Sequence, residues 1–81
     1  MKLTVKFFAA ARDISGTSDL VITMPGDTTP AEVLEALMHT YPRLVPLKEY
    51  LRMAVNWEYV PPHHPLAEGD EVAIIPPVSG G

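Results

Sequence analysis

Residues 29–41 read TPAEVLEALMHTY, and this segment decides the fold because it encodes the clearest helix of the chain. Thr29 stands where a helix cap belongs, Pro30 suits the first helical position, and Glu32 completes a T-x-x-E capping box. Such a box satisfies backbone N–H groups that every helix start leaves without partners. Leu34, Leu37, Met38 and Tyr41 follow i, i+3, i+4, i+7 spacing and give the helix one apolar face. Glu32, Glu35 and His39 lie elsewhere on it, toward solvent. Pro42 disfavours helical geometry at Tyr41 and stops the run. About twelve residues make a rod of about 18 Å, enough to cross a small sheet.

Strand signals lie on both sides of this helix. Upstream, Leu3, Val5 and Phe7 alternate with Lys2, Thr4 and Lys6, the period-two pattern of a strand with one wet face. Ala9 to Ser18 reads as a loop with room for one helical turn, and Asp19 to Met24 as a second strand ended by Pro25-Gly26-Asp27. Downstream, Arg43 to Leu51 predicts a short irregular helical turn, and Met53 to Val60 a strand that runs into an extended stretch. Pro61-Pro62-His63-His64-Pro65 is loop, Glu68-Gly69-Asp70 a turn, and Glu71 to Ile75 the final strand.

The order strand, strand, helix, strand, strand describes an α+β domain with one main helix on one face of a mixed sheet of four to five strands. A β-grasp arrangement satisfies it: the first and last strands lie parallel in the centre, and the helix supplies the long crossover. A ferredoxin-like sheet needs a second full helix, and Arg43–Leu51 is too short and proline-broken for one. Residues 1–75 are expected to form this domain, and residues 76–81 a flexible functional tail.

Composition narrows the function. The chain has 81 residues, enough for one domain, and no Cys, which rules out disulfides and thiolate zinc sites. The first eleven residues have the outline of a signal peptide, but Lys6 splits the apolar run, and a cytoplasmic location with no membrane contact is expected. The net charge is −4, and residues 53–81 carry all of it, with Glu58, Glu68, Asp70 and Glu71 but no Lys or Arg. Nucleic acid is a poor partner for such a chain, whereas a basic cleft on another protein suits it.

No catalytic constellation stands out. His63-His64 has no third ligand at metal-binding spacing, no phosphate-cradling glycine loop is present, and Ser79 has no evident His partner. The tail Pro76-Pro77-Val78-Ser79-Gly80-Gly81 is different, because it leaves a central strand through a stiff proline pair and ends in residues without side chains. Six extended residues reach about 20 Å, a shape that threads a narrow channel and presents the carboxylate of Gly81. Alternation adds a docking surface at its root. If Val72 and Ile74 face the helix, then Ala73, Ile75 and the neighbouring Phe8 face outward. Phe8, Ile75, Pro76, Pro77 and Val78 then form an apolar patch of the kind that marks interfaces.

These residues resemble the small subunit of molybdopterin synthase, a ubiquitin-like sulfur carrier family. The likeness rests on Phe7-Phe8-Ala9 with Arg12-Asp13 and Gly16, on Ala54-Val55-Asn56, on residues 64–73 (HPLAEGDEVA), and on the terminal PPVSGG. Trp57 and the Pro61-Pro62-His63 loop depart from the usual pattern. The resemblance implies that the chain is not itself an enzyme, binds no cofactor or metal, and carries sulfur on Gly81. An ATP-dependent activating enzyme would form a glycyl-adenylate there, a sulfur donor would convert it to a thiocarboxylate, and the tail would enter the large catalytic subunit. There the sulfur would pass to cyclic pyranopterin monophosphate, within a heterotetramer of two copies of each subunit. Gly80, Ser79, Val78, Pro77, Pro76, Ile75 and Phe8 would bind the partner. Other Gly-Gly carriers serve thiazole, cysteine or tRNA thiolation pathways, a related class is joined to lysines as a protein modifier, and a passive interaction module with an inert tail is a third possibility.

Overall fold

In a computed structural model that describes residues 1–77, strand β1 (Lys2–Phe7) lies parallel to strand β5 (Glu71–Ile75), with Val5 opposite Val72 and Phe7 opposite Ile74. β2 (Asp19–Thr23) pairs antiparallel with the outer edge of β1. β3 (Arg52–Val55) pairs antiparallel with β5, and the two-residue β4 (Glu58–Tyr59) completes the other edge. The five-stranded order is β2-β1-β5-β3-β4, the mixed sheet of a β-grasp fold.

Helix α2 (Pro30–Thr40) crosses this sheet, and its start is built as the sequence dictates. The Thr29 Oγ1 accepts the Glu32 N–H, while Glu32 Oε1 accepts the Thr29 N–H at 3.0 Å. A further first-turn donor, the Ala31 N–H, reaches the Pro62 carbonyl at 2.9 Å, so the proline loop ties down the helix start. Replacing Thr29 by Ala removes the cap and should destabilise the domain by about 1 kcal/mol. A melting experiment should read this as a Tm lower by about 4–8 °C, with the folded spectrum unchanged.

The buried face of α2 is Pro30, Val33, Leu34 and Leu37, packed over Leu3, Val5, Phe7, Val72 and Ile74. Val33 is the residue that the i, i+3, i+4, i+7 reading passes over, while Met38 and Tyr41 only partly close the core margin. Tyr41 still contributes an edge-on contact to Phe7, with ring centroids 5.8 Å apart.

Three segments differ from expectation. Ala9–Ser15 forms a full helix, α1, rather than a loop with one turn. It has no side-chain cap and no acid in its first turn, so the usual start signals are missing; it is closed by Gly16 at φ 76°, whose N–H reaches the Arg12 carbonyl at 2.8 Å. The short irregular helical turn expected at Arg43–Leu51 is longer, a nine-residue 3-10 segment over Pro42–Tyr50, with Pro46 inside it giving no N–H to the helix. Finally, the extended stretch expected after β3 folds back as a hairpin, with Val55 opposite Glu58 and Ala54 opposite Tyr59.

Candidate functional site

Two faces of one sheet separate core from site. On β1, Leu3, Val5 and Phe7 point into the core, and Phe8 is the first residue beyond the strand. The Phe8 N–H bonds to the Ile74 carbonyl at 3.3 Å, and its own carbonyl accepts the Ala11 N–H at 3.0 Å. Backbone ties on both sides thus fix where the Phe8 ring, 38% exposed, stands beside the end of β5.

Register explains the hollow next to it. Across the outer face, Lys6 pairs with Ala73, Ala73 with Ala54, and Ala54 with Tyr59. Two alanines side by side leave a depression, because their neighbours carry large side chains and they do not. The result is a groove of about 620 Å³ with Ala54 and Ala73 on its floor, Phe8, Trp57 and Tyr59 as walls, and Ile75, Pro76 and Pro77 at the end. None of its lining side chains carries a charge.

The groove brings together Phe8, Ile75, Pro76 and Pro77, four of the residues expected at the docking patch. Pro76 is buried there and Pro77 exposed. Val78, Ser79, Gly80 and Gly81 lie outside the described residues. Ala73 does lie on the outer face, but it is buried rather than exposed, since the surrounding rings shade its methyl group. Trp57 and Tyr59, 77% and 66% exposed, are wall residues that the sequence reading leaves out of the patch. The missing signal was the hairpin: with Asn56-Trp57 as a two-residue turn, alternation puts Tyr59 beside Ala54.

The other half of the outer face carries charge beside an exposed Val21. Lys6 Nζ meets Asp19 Oδ1 at 2.6 Å across β1 and β2. Their hydrogen bond raises the Lys6 pKa above its ordinary value and lowers that of Asp19. The Asp19 contribution is present above the usual carboxylate range and fades as pH falls through its lowered value. The Lys6 contribution is present below the usual lysine value and fades as pH rises through the raised one. Asp19 is exposed and Lys6 half-buried at the surface, so water screens the pair and it divides the surface more than it stabilises the fold.

Among the described residues no three His, Asp or Glu side chains gather as a metal site, and no helix is long and apolar enough to cross a membrane.

The family model described as the ThiS family matches residues 5–81, nearly the whole chain. The chain belongs to the ThiS family. Its relatives include the molybdopterin synthase sulfur carrier subunit of Arabidopsis thaliana, 36% identical over all of this chain and 84% of that protein. Among solved structures, SAMP1 from Haloferax volcanii superposes with a TM-score of 0.88 at 28% identity, with all of both chains covered. A complex of subunits 1 and 2 of molybdopterin-converting factor from Helicobacter pylori contains a chain matching at a TM-score of 0.70 and 26% identity, again over all of both chains. The resemblance read along the sequence is therefore borne out: relatives of this chain are molybdopterin synthase sulfur carrier subunits, and its fold is the ubiquitin-like β-grasp.

Proposed function

We propose that the chain carries sulfur on Gly81 for molybdopterin synthesis, as the non-catalytic partner of a large catalytic subunit. The observation that carries this reading is the uncharged groove at Phe8, Ile75, Pro76 and Pro77. It surrounds the root of a tail whose only functional group at the tip is the Gly81 carboxylate. A partner that closes on the groove draws the tail into its own active site. Residues 53–81 carry acids and no Lys or Arg, which favours approach to a basic cleft.

A carboxylate is a poor electrophile, so activation precedes sulfur transfer. A Gly81 carboxylate oxygen attacks the α-phosphorus of ATP on an activating enzyme, and pyrophosphate leaves. Hydrosulfide released by the donor then attacks the acyl carbon, AMP departs with the bridging oxygen, and loss of the S–H proton leaves a thiocarboxylate. In the catalytic subunit that sulfur passes to cyclic pyranopterin monophosphate, with proton transfers handled by the partner. ATP is bound by the activating enzyme and not by this chain.

The likeness to SAMP1 supports a second reading, because a closely similar structure is described as a small archaeal modifier protein. The activated Gly81 would then meet a lysine amine instead of a sulfur nucleophile. Intact-mass analysis after co-expression with an activating enzyme separates the two. Replacement of one oxygen by sulfur at the C-terminus is the expected result. A mass that never changes would sink the carrier reading, and predominant lysine adducts of high mass would favour the modifier.

A further inference from the structure

Three residues other than glycine adopt positive φ among the described residues: Ala9 at 49°, Asn56 at 50° and Trp57 at 72°. Ala9 and Trp57 both line the apolar groove, and Asn56 immediately precedes Trp57. Side-chain-bearing L residues rarely adopt this region, and such backbone persists where the surroundings enforce it, often at functional sites.

Trp57 is the sharpest case. Asn56 and Trp57 form the two-residue turn of the β3–β4 hairpin, since Val55 pairs with Glu58. With both central residues at positive φ this is the type I′ pattern, whose second central position favours glycine. A glycine there would close the hairpin without strain. The ring that stands there instead is 77% exposed and adds little to the core.

The neighbouring residue supplies the restraint. Asn56 Nδ2 donates to Asp70 Oδ1 at 2.9 Å, and Asn56 Oδ1 accepts the Glu71 N–H at 3.0 Å. Its backbone N–H also donates to the Glu71 carbonyl at 2.9 Å. The turn is thereby latched to the start of β5, and the Trp57 ring is held at the groove. Trp57 and Phe8 also line a smaller recess with Lys6, Arg12 and Asp19, so the two rings form a ridge between apolar and charged ground.

We infer that Trp57 is a specificity-determining anchor, held at the groove by a left-handed turn to pack against an uncharged aliphatic surface of the catalytic subunit. This rests on the sulfur-carrier reading above. An uncharged groove would strip water from a charged partner surface without compensating it, whereas aliphatic side chains lose nothing there. The groove is continuous with Pro76 and Pro77, so the protein that receives the tail also covers the ring. Buried tryptophans at such positions are frequent carriers of binding energy.

The test titrates the catalytic subunit with the full chain and with Trp57→Gly and Trp57→Phe. The glycine variant should keep or raise its Tm, because it relieves the turn, yet bind about 10–100-fold more weakly. The phenylalanine variant should recover most of that loss. Wild-type affinity in a folded Trp57→Gly variant would overturn the anchor while leaving the carrier reading intact. No binding by the wild-type chain would overturn both. Trp57 is the sole tryptophan, so fluorotryptophan labelling gives one fluorine NMR signal, which should move when the catalytic subunit is added. A signal that instead moves on dilution of the chain alone would assign the surface to a second copy. One that moves on removal of residues 78–81 would assign it to the chain's own tail. Either result would overturn the inference.

Discussion

A chain shortened by Gly81, or extended by one alanine after it, should lose sulfur transfer by more than about 1,000-fold and melt at the wild-type temperature. Either change moves the terminal carboxyl group by about 3.5 Å along an extended tail. Reacting atoms must approach to about 3–3.5 Å before bonds can form, and a misplacement of even about 1 Å costs about 100-fold. The stability should not follow, since among the described residues a continuous core already forms between Leu3 and Ile74. Single-turnover transfer to the precursor, measured beside a thermal melt, checks both halves. Full activity in either variant would remove Gly81 from the chemistry, and a large fall in Tm would show the tip to be part of the fold.

The contrast between legible and hidden parts of this molecule follows the range of the interactions involved. Helix α2 could be read because its signals are local: Thr29, Pro30 and Glu32 sit within four residues and act on one helix end. Strand β5 spans the expected Glu71–Ile75 because its alternation and the preceding turn at Gly69, φ 84°, are also local. Helix α1 escaped because Phe8 caps it through its backbone alone, and the alanines that follow carry no period. The hairpin escaped for a sharper reason. Asn-Gly would have announced a type I′ turn, but Asn56-Trp57 hides the same geometry behind a residue that disfavours it. What enforces the turn is Asp70, fourteen positions away, and no local pattern reports that bond. The groove inherits the same limit. Its outer-facing residues Phe8 and Ile75 follow from alternation, whereas its floor needs the register that sets Ala54 against Ala73. Its Trp57 and Tyr59 walls need the hairpin. Strand faces were thus readable one strand at a time, and the site arises where three strands are compared.

Phe7 and Phe8 allow the division between fold and site to be tested with adjacent, chemically identical side chains. Phe7 is 2% exposed, pairs with Ile74 across the parallel ladder and touches Tyr41 edge-on. Phe7→Ala should therefore cost about 3–5 kcal/mol, the transfer free energy of the ring plus that of the cavity it leaves. A chain of this length has about 4–12 kcal/mol in total, so this variant should melt about 15 °C or more below wild type and be partly unfolded at ambient temperature. Phe8 lies one residue further on the opposite face, and only its backbone is tied into the sheet, through Ile74 and Ala11. Phe8→Asp keeps those backbone bonds and places a charge at an uncharged groove. Its Tm should stay within a few degrees of wild type, as most surface changes do. Its affinity for the catalytic subunit should fall about 100-fold, because the carboxylate would be buried against an apolar surface without a partner. Chemical denaturation and titration calorimetry on the two variants read the two effects separately. Equal loss of stability in both would mean that Phe8 belongs to the core, and unchanged binding by Phe8→Asp would place the partner on another surface. The opposite signatures are expected because β1 ends with Phe7 turned toward the helix, and the extended backbone of Phe8, the next residue, turns its ring toward the groove.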